Sequence, residues 1–307
     1  MSGSPYVLAI DIGGTKIAAA VYDSHRRRIG DIQSIPTMAQ QKAAVTLINF
    51  KRIAGQAVAK AGLEGPPLAV GVGSTGPVDT RTGVLRDADS LPNLMDFNLS
   101  RFIEEEFHAP LFLENDANCF ALGEALAGAG EGHDVVVGVT LGTGFGCGIV
   151  VNGRIFTGVT GNAGEVAYLP VAGGNFDEML SGAGVARFYR RVTGKEPPSP
   201  AEIGELAERG DSEALKTWEY YGEAVGTGLG IIAAVIDPNV CVVGGSVSQR
   251  FPLFREALER KLRAQLAPEP AAKLILAQAQ LDGAAGVTGA AQYAFRCLAE
   301  QGVTVGA

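Results

Sequence analysis

The chain opens on a buried-strand pattern broken by a polar turn. Val7 to Ile10 is apolar, Asp11-Ile-Gly-Gly-Thr-Lys16 interrupts the run, and Ile17 to Val21 is apolar again. Short apolar runs bounded by glycine and polar residues predict a β-hairpin. The same pattern returns at Val136 to Asn152, with Leu141-Gly-Thr-Gly-Phe-Gly146 at its turn. Laid over one another without a gap, Val7 to Asp23 and Val136 to Asn152 place Asp11 on Thr140 and Gly13 on Gly142, an offset of about 129 residues. Self-similarity of this kind predicts two related halves, each opening on a hairpin.

Between and beyond the hairpins the period changes. Gln41 to Ala61 carries Val45, Ile48, Ile53, Ala57 and Val58 along one side and predicts a helix, and Pro66 to Gly73 predicts a buried strand. Leu99 to Phe107 predicts an amphipathic helix, Leu111 to Glu114 a short strand, and Ala117 to Gly128 a helix capped by Asn115 or Asp116. In the second half, Ala201 to Glu208, Glu213 to Ile236, Phe254 to Ala267 and Ala284 to Glu300 predict helices, and Cys241 to Val243 a strand. Alternating strands and helices indicate an α/β protein. The proline-rich Gly194 to Pro200 stretch suits a loop before the Ala201 helix.

Composition narrows the function. A net charge of −8 over 307 residues, with no basic block longer than Arg26-Arg27-Arg28, argues against nucleic acid as a partner. The four cysteines, Cys119, Cys147, Cys241 and Cys297, are dispersed in apolar runs and are expected to be reduced core residues. No secretory leader is evident, so the cytoplasm is the expected compartment. The longest charge-free stretch, Val135 to Gly153, holds six glycines and alternates like a strand, which rejects a membrane span. The 42 glycines are nearly twice the usual share and direct attention to the turns.

Gly71-Val-Gly-Ser-Thr-Gly76 matches G-x-G-x-x-G after a strand, but Pro77 to Gly83 continues as a second turn where a dinucleotide fold needs a helix. Gly13-Gly14-Thr15-Lys16 lacks P-loop spacing. What remains is a pair of glycine turns able to present bare backbone N–H groups to phosphate. Gly13, Gly14, Thr15 and Lys16 belong to one turn, and Gly142, Thr143 and Gly144 to the other. Asp11 is placed to bind an accompanying Mg²⁺ through water.

Asp11-Ile-Gly-Gly-Thr-Lys16, Glu114-Asn-Asp-Ala-Asn118, Leu141-Gly-Thr-Gly-Phe-Gly146, Gly161-Asn-Ala-Gly-Glu165, Val242-Val-Gly-Gly-Ser246 and Asp282-Gly-Ala-Ala-Gly286 follow one another along the chain. In these motifs and their order the chain resembles the ROK sugar kinases. The resemblance implies a duplicated actin/hexokinase-like (ribonuclease H-like) fold, with two lobes around a cleft. Residues 1–118 with 290–307 would form the small lobe and 119–289 the large one. It also implies ATP and Mg²⁺ as cofactors, a hexose as acceptor, and a homodimer. With Asp11 eleven residues from the start of the sequence, the helix-turn-helix domain of the family's repressors is not expected.

Phosphoryl transfer needs one carboxylate to accept the proton of the attacking hydroxyl, and Asp116, at a strand-to-helix junction and in the family's base motif, is the candidate. The family places sugar contacts at Asn115, at Glu165 and at the position of Asp177, with Gly76 a further candidate on the sugar side. Gly244 and Gly245 match the adenosine motif. Tyr168 stands where most relatives carry a histidine that binds sugar and zinc, and Leu169 to Glu178 lacks the cysteines that follow it. No zinc site is therefore expected; the chain resembles the zinc-less minority, which includes the bacterial β-glucoside kinases. Tyr168 is expected to fill the space that zinc would order, with its hydroxyl turned to the sugar or to Glu165. The alternatives are an amino-sugar kinase (N-acetylmannosamine or N-acetylglucosamine), a β-glucoside kinase, or a non-catalytic sugar or nucleotide sensor.

Overall fold

A computed structural model of the protein describes residues 5–86, 90–281 and 283–303. In chain order the elements begin with β1 (Tyr6–Ile12), β2 (Lys16–Asp23), β3 (Arg28–Pro36), α1 (Ala43–Lys60), β4 (Ala69–Ser74), β5 (Val78–Asp79) and β6 (Val84–Leu85). Then come α2 (Leu99–Phe107), β7 (Leu111–Asn115), α3 (Asp116–Ala127), β8 (Val135–Leu141), β9 (Phe145–Val151), β10 (Arg154–Ile155), β11 (Pro170–Val171) and β12 (Gly174–Asn175). The remainder is α4 (Phe176–Leu180), α5 (Gly182–Thr193), α6 (Pro200–Glu208), α7 (Ser212–Ile236), β13 (Val240–Gly244), α8 (Phe251–Arg263), α9 (Pro268–Lys273), β14 (Ile275–Gln278) and α10 (Ala285–Glu300).

The chain divides into two compact units, one made of residues 1–123, 157–162 and 281–307, the other of 124–156 and 163–280. The expected division cut α3 at 118 and α10 at 290. The observed one keeps all of α10 with the first unit, because Val287, Ala290, Ala291 and Ala294 pack on Val7, Ala9, Ala18 and Ala69 of its sheet.

The first unit is built on a five-stranded sheet in the order β3-β2-β1-β4-β7, with β2 and β3 antiparallel and β1, β4 and β7 parallel. Alternation of side chains puts Leu8, Ile10 and Ile12 on one face, against Phe50 and Ile53 of α1, and Val7 and Ala9 on the other, under α10. The second unit repeats the plan in the order β10-β9-β8-β13-β14, with the same antiparallel and parallel pairings. Its core joins Val137, Val139 and Leu141 to α4, α5, α7 and α8, with Trp218 stacked on Phe254 at 5.8 Å. Gly222 and Gly226 let α7 approach α8 until a Cβ would stand 2.5 Å from the carbonyls of Phe254 and Leu258. Much of the glycine excess serves such packing.

The gapless repeat requires one correction. In the first hairpin Ile12 pairs with Ile17 across a four-residue turn; in the second Leu141 pairs with Phe145 across three residues. The register therefore matches Asp23 to Val151 rather than to Asn152. The glycines of Gly71-Val-Gly-Ser-Thr-Gly76 also find a structural use. A Cβ at Gly71 would lie 2.3 Å from the Ala290 carbonyl of α10, and one at Gly73 3.1 Å from Cys119 Sγ of α3.

Candidate active site

Each hairpin turn is held from outside itself. In the first, the Gly13 N–H donates to the Lys16 carbonyl at 3.1 Å. Buried Thr37 donates its hydroxyl to the Gly13 carbonyl at 2.6 Å and its N–H to the Thr15 carbonyl at 3.0 Å. A Cβ at Gly14 would stand 2.7 Å from the Ser90 carbonyl oxygen. In the second turn the Gly142 N–H donates to the Gly144 carbonyl at 3.0 Å, and Gly182, at the head of α5, donates its N–H to the Gly142 carbonyl at 2.8 Å. The Phe145 N–H donates to Asp177 Oδ1 at 2.8 Å. Among the described residues, nothing accepts from the amides of Gly14, Thr15, Thr143 or Gly144. Those N–H groups are the kind of donor set that a polyphosphate takes.

Asp11, the last residue but one of β1, lies where a Cβ on Gly286 of α10 would come within 2.6 Å of its Oδ2. Burial, and next the negative charge of Asp116, push its carboxyl up to about 7, with Lys16 pulling the other way. The fold thus brings Asp11, Lys16 and Asp116 into one electrostatic neighbourhood. Among the described residues no three His, Cys, Asp or Glu side chains converge into a metal-binding group. A Mg²⁺ held by Asp11 would keep water and phosphate for most of its ligands.

At the β7–α3 junction the capping duty falls to Asn115. Its Oδ1 accepts from the N–H groups of Ala117 at 2.8 Å and Asn118 at 3.2 Å, as an N-cap does. Asp116 is the first residue of α3, its Oδ1 sharing the Ala117 N–H at 2.8 Å. A Cβ at Gly76 would stand 2.7 Å from Asn115 Nδ2, so these two sugar-side candidates adjoin one another. Behind them Glu114 is buried, its Oε1 accepting from the Asn115 N–H at 2.8 Å and from Asn118 Nδ2 at 3.0 Å.

In the second unit, Gly164 lies with φ +91° against the Cys147 carbonyl, and Glu165 follows it in an exposed stretch. The β11–β12 hairpin returns the chain so that Asp177 donates its N–H to the Ala167 carbonyl at 2.9 Å. Glu165, Tyr168 and Asp177 thereby belong to one segment, which Asp177 fastens to the glycine turn. One expectation fails here: Tyr168 is 80% exposed and fills no space. The loop is packed instead by Val171 and Phe176, the latter edge-to-face with Phe145 at 5.2 Å.

Gly244 ends β13, and Gly245 turns with φ +88° so close to Leu141 that a Cβ would stand 2.4 Å from its carbonyl oxygen. Asp282 of the last quoted motif lies outside the described residues. All four cysteines are free thiols, three of them buried. Thr37 and Ser90 are contributors that no motif announced, and Glu114, though it opens a quoted motif, was given no role of its own.

Residues 7–296 match the ROK family. The chain belongs to the ROK family. The N-acetyl-D-glucosamine kinase of Pasteurella multocida is 32% identical to it over 308 residues, covering 92% of this chain and 96% of the relative. The ROK hexokinase of Thermus thermophilus superposes with a TM-score of 0.79 at 31% identity, over 96% of this chain and 99% of the other. A ROK glucokinase from Streptomyces griseus, solved with glucose and AMPPNP, superposes with a TM-score of 0.79 at 28% identity, over 93% and 98%. The paired sheets are thus the α/β hexokinase-type fold that ROK proteins share. No described helix is long and apolar enough to cross a membrane.

Proposed function

We propose that this ROK protein is an ATP-dependent sugar kinase that phosphorylates a hexose hydroxyl, the 6-OH of glucose or a close relative, with Asp116 as general base. The observation carrying this reading is the division of labour at the β7–α3 junction, where Asn115 caps the helix while Asp116 stands beside it in the first turn, near Asp11. A carboxylate whose backbone is fixed by strand and helix is suited to accept the hydroxyl proton. ATP with Mg²⁺ supplies the γ-phosphoryl group. The unclaimed amides of Gly14, Thr15, Thr143 and Gly144 hold and orient phosphate oxygens, Lys16 adds positive charge, and Asp11 holds the metal through water. Gly244 and Gly245 border the nucleoside. Asn115, Glu165, Asp177 and Gly76 hold the sugar, and Tyr168 lines its approach.

Similarity to an N-acetyl-D-glucosamine kinase at 32% identity favours an amino sugar as the second reading. A coupled ADP-release assay across glucose, mannose, N-acetylglucosamine, N-acetylmannosamine and β-glucosides decides between them. Binding of sugar without turnover on any of these would return the protein to the sensor class. The reading carries a homodimer in the cytoplasm, and light scattering tests the dimer.

A further inference from the structure

Glu114 poses a problem of hydrogen-bond accounting. It is 1% exposed, on the last turnward stretch of β7, two residues before Asp116. Its Oε1 is doubly used, by the Asn115 N–H and by Asn118 Nδ2. Its Oε2 is buried and, among the described residues, accepts nothing, and the same holds for the buried Asn118 Oδ1. An ionised carboxylate so placed would leave two buried acceptors without a donor, one of them on a charged group, which carries the full desolvation penalty of each. Among the described residues no cation is paired with it. The titratable groups that feel its charge are Cys119 on α3 and Tyr293 and Cys297 on α10, none of them a positive partner. Burial accordingly raises the Glu114 carboxyl above its ordinary value.

One proton resolves both vacancies. We propose that Glu114 is a neutral carboxylic acid in the working protein, its Oε2–H donated to Asn118 Oδ1, so that acid and amide close a two-bond ring. The other bond of that ring, Asn118 Nδ2 to Glu114 Oε1, is already in place at 3.0 Å. The ring ties the end of β7 to the first turn of α3 on both sides of Asp116, and the Asn115 N–H is held by the same oxygen. Glu114 is thus a positioning residue: it touches no substrate, and it fixes the turn from which Asp116 and Asn115 act. Being neutral, it also leaves Asp116 without a second carboxylate charge two residues away, which would raise the proton affinity of the base in the ground state. The inference rests on Asp116 as the base, and its test has an arm that does not.

Two variants and one spectrum decide it. Glu114→Gln replaces the acid by an amide that can make the same two bonds, so kcat should stay within about threefold of the parent. Glu114→Ala removes the ring, and kcat should fall roughly tenfold to a hundredfold with little change in nucleotide KM, as expected when a base is displaced rather than a ligand lost. The infrared difference spectrum of parent minus Glu114→Gln, taken above the Asp11 titration, should contain the C=O stretch of a buried protonated carboxyl that shifts in D₂O. Absence of that band, a glutamine variant as impaired as the alanine one, or an alanine variant within twofold of the parent would each overturn the proposal. If the parent phosphorylates no sugar, the proposed function fails while the band still decides the protonation of Glu114. Should Glu114→Ala not fold, the glutamine variant and the spectrum suffice.

Discussion

The two glycine turns occupy the same place in sheets of the same strand order, yet they are equipped differently. The first has charge around it: Asp11 precedes it, Lys16 closes it, and Asp116 lies within electrostatic reach. The second has Thr140 where the first has Asp11, and the carboxylate that meets it among the described residues, Asp177, is tied to the Phe145 N–H. Their supports differ as well, a buried threonine hydroxyl for one and the head of α5 for the other. Both keep two unclaimed amides. The backbone donors are thus kept in both units and the ionisable side chains in one; under the proposed function, metal and proton handling would fall to the first turn and phosphate holding to the second.

If that assignment is right, the largest loss comes from Asp116→Asn. It preserves shape and hydrogen-bonding capacity but removes the proton acceptor, so kcat should fall by roughly 10²–10⁴ with sugar affinity little changed. Normal turnover in that variant would end the base assignment. Next is Gly144→Val, where a side chain would meet Asp177 Oδ1 at 2.9 Å. Gly144 does not have positive φ, so the effect comes from the clash with Asp177 and from a branched side chain shielding the open amide; nucleotide KM should rise about tenfold or more while sugar binding survives. Asp177→Ala separates two duties of that residue, because a rise in nucleotide KM marks the turn and a rise in sugar KM marks a sugar contact.

Asp11 sharpens the comparison through pH. Its folded carboxyl stands at about 7 against an unfolded value of about 4, so between those limits the folded state binds the extra proton. Stability of the ligand-free protein should consequently decline as pH rises from about 4 to about 7 and level off above. Asp11→Asn should remove about 1–2 kcal/mol of that decline in urea titrations, after allowing for partial solvent screening. An unchanged slope would show that Asp11 is not the strained group. The smallest expected effect is Thr37→Val, which deletes the hydroxyl on Gly13 and should cost about 1 kcal/mol and raise nucleotide KM a few-fold. No effect on nucleotide KM would mean that the first turn needs no support from Thr37.

The sequence made the sheet centres and long helices readable because burial leaves a strong period. α2 was placed at its observed ends, Leu99–Phe107, by amphipathicity alone, and β13 and α7 to within a few residues. β3 escaped notice because it is an edge strand whose residues are mostly exposed, and β14 because it has four residues flanked by helix. α5 begins Gly-Ala-Gly, a composition that argues against a helix until its capping Ser181 and its packing are seen. At the site, the glycine turns and the β7–α3 carboxylate were legible as motifs. The supports were not: Thr37 and Ser90 act across loops that no local period links to the turn. Asp177 was visible only as a sugar arm, since its bond to Phe145 spans 32 residues. Tyr168 was expected to fill the space that zinc would order in most relatives, whereas it is exposed and Val171 and Phe176 are the buried side chains of that segment.

The missing residue in the second hairpin says something about how such a gene can change. Side chains along a strand alternate between faces, so a deletion within β9 would have turned everything beyond it inside out, exposing core valines and burying their outward neighbours. At the tip, the strands slide past no partner and every face is kept. Length variation in a duplicated hairpin is thus confined to the few codons at its apex, the same codons that the proposed function gives to phosphate binding. On that reading, descendants of this gene can adjust their nucleotide grip by insertion or deletion there without first having to survive a broken sheet.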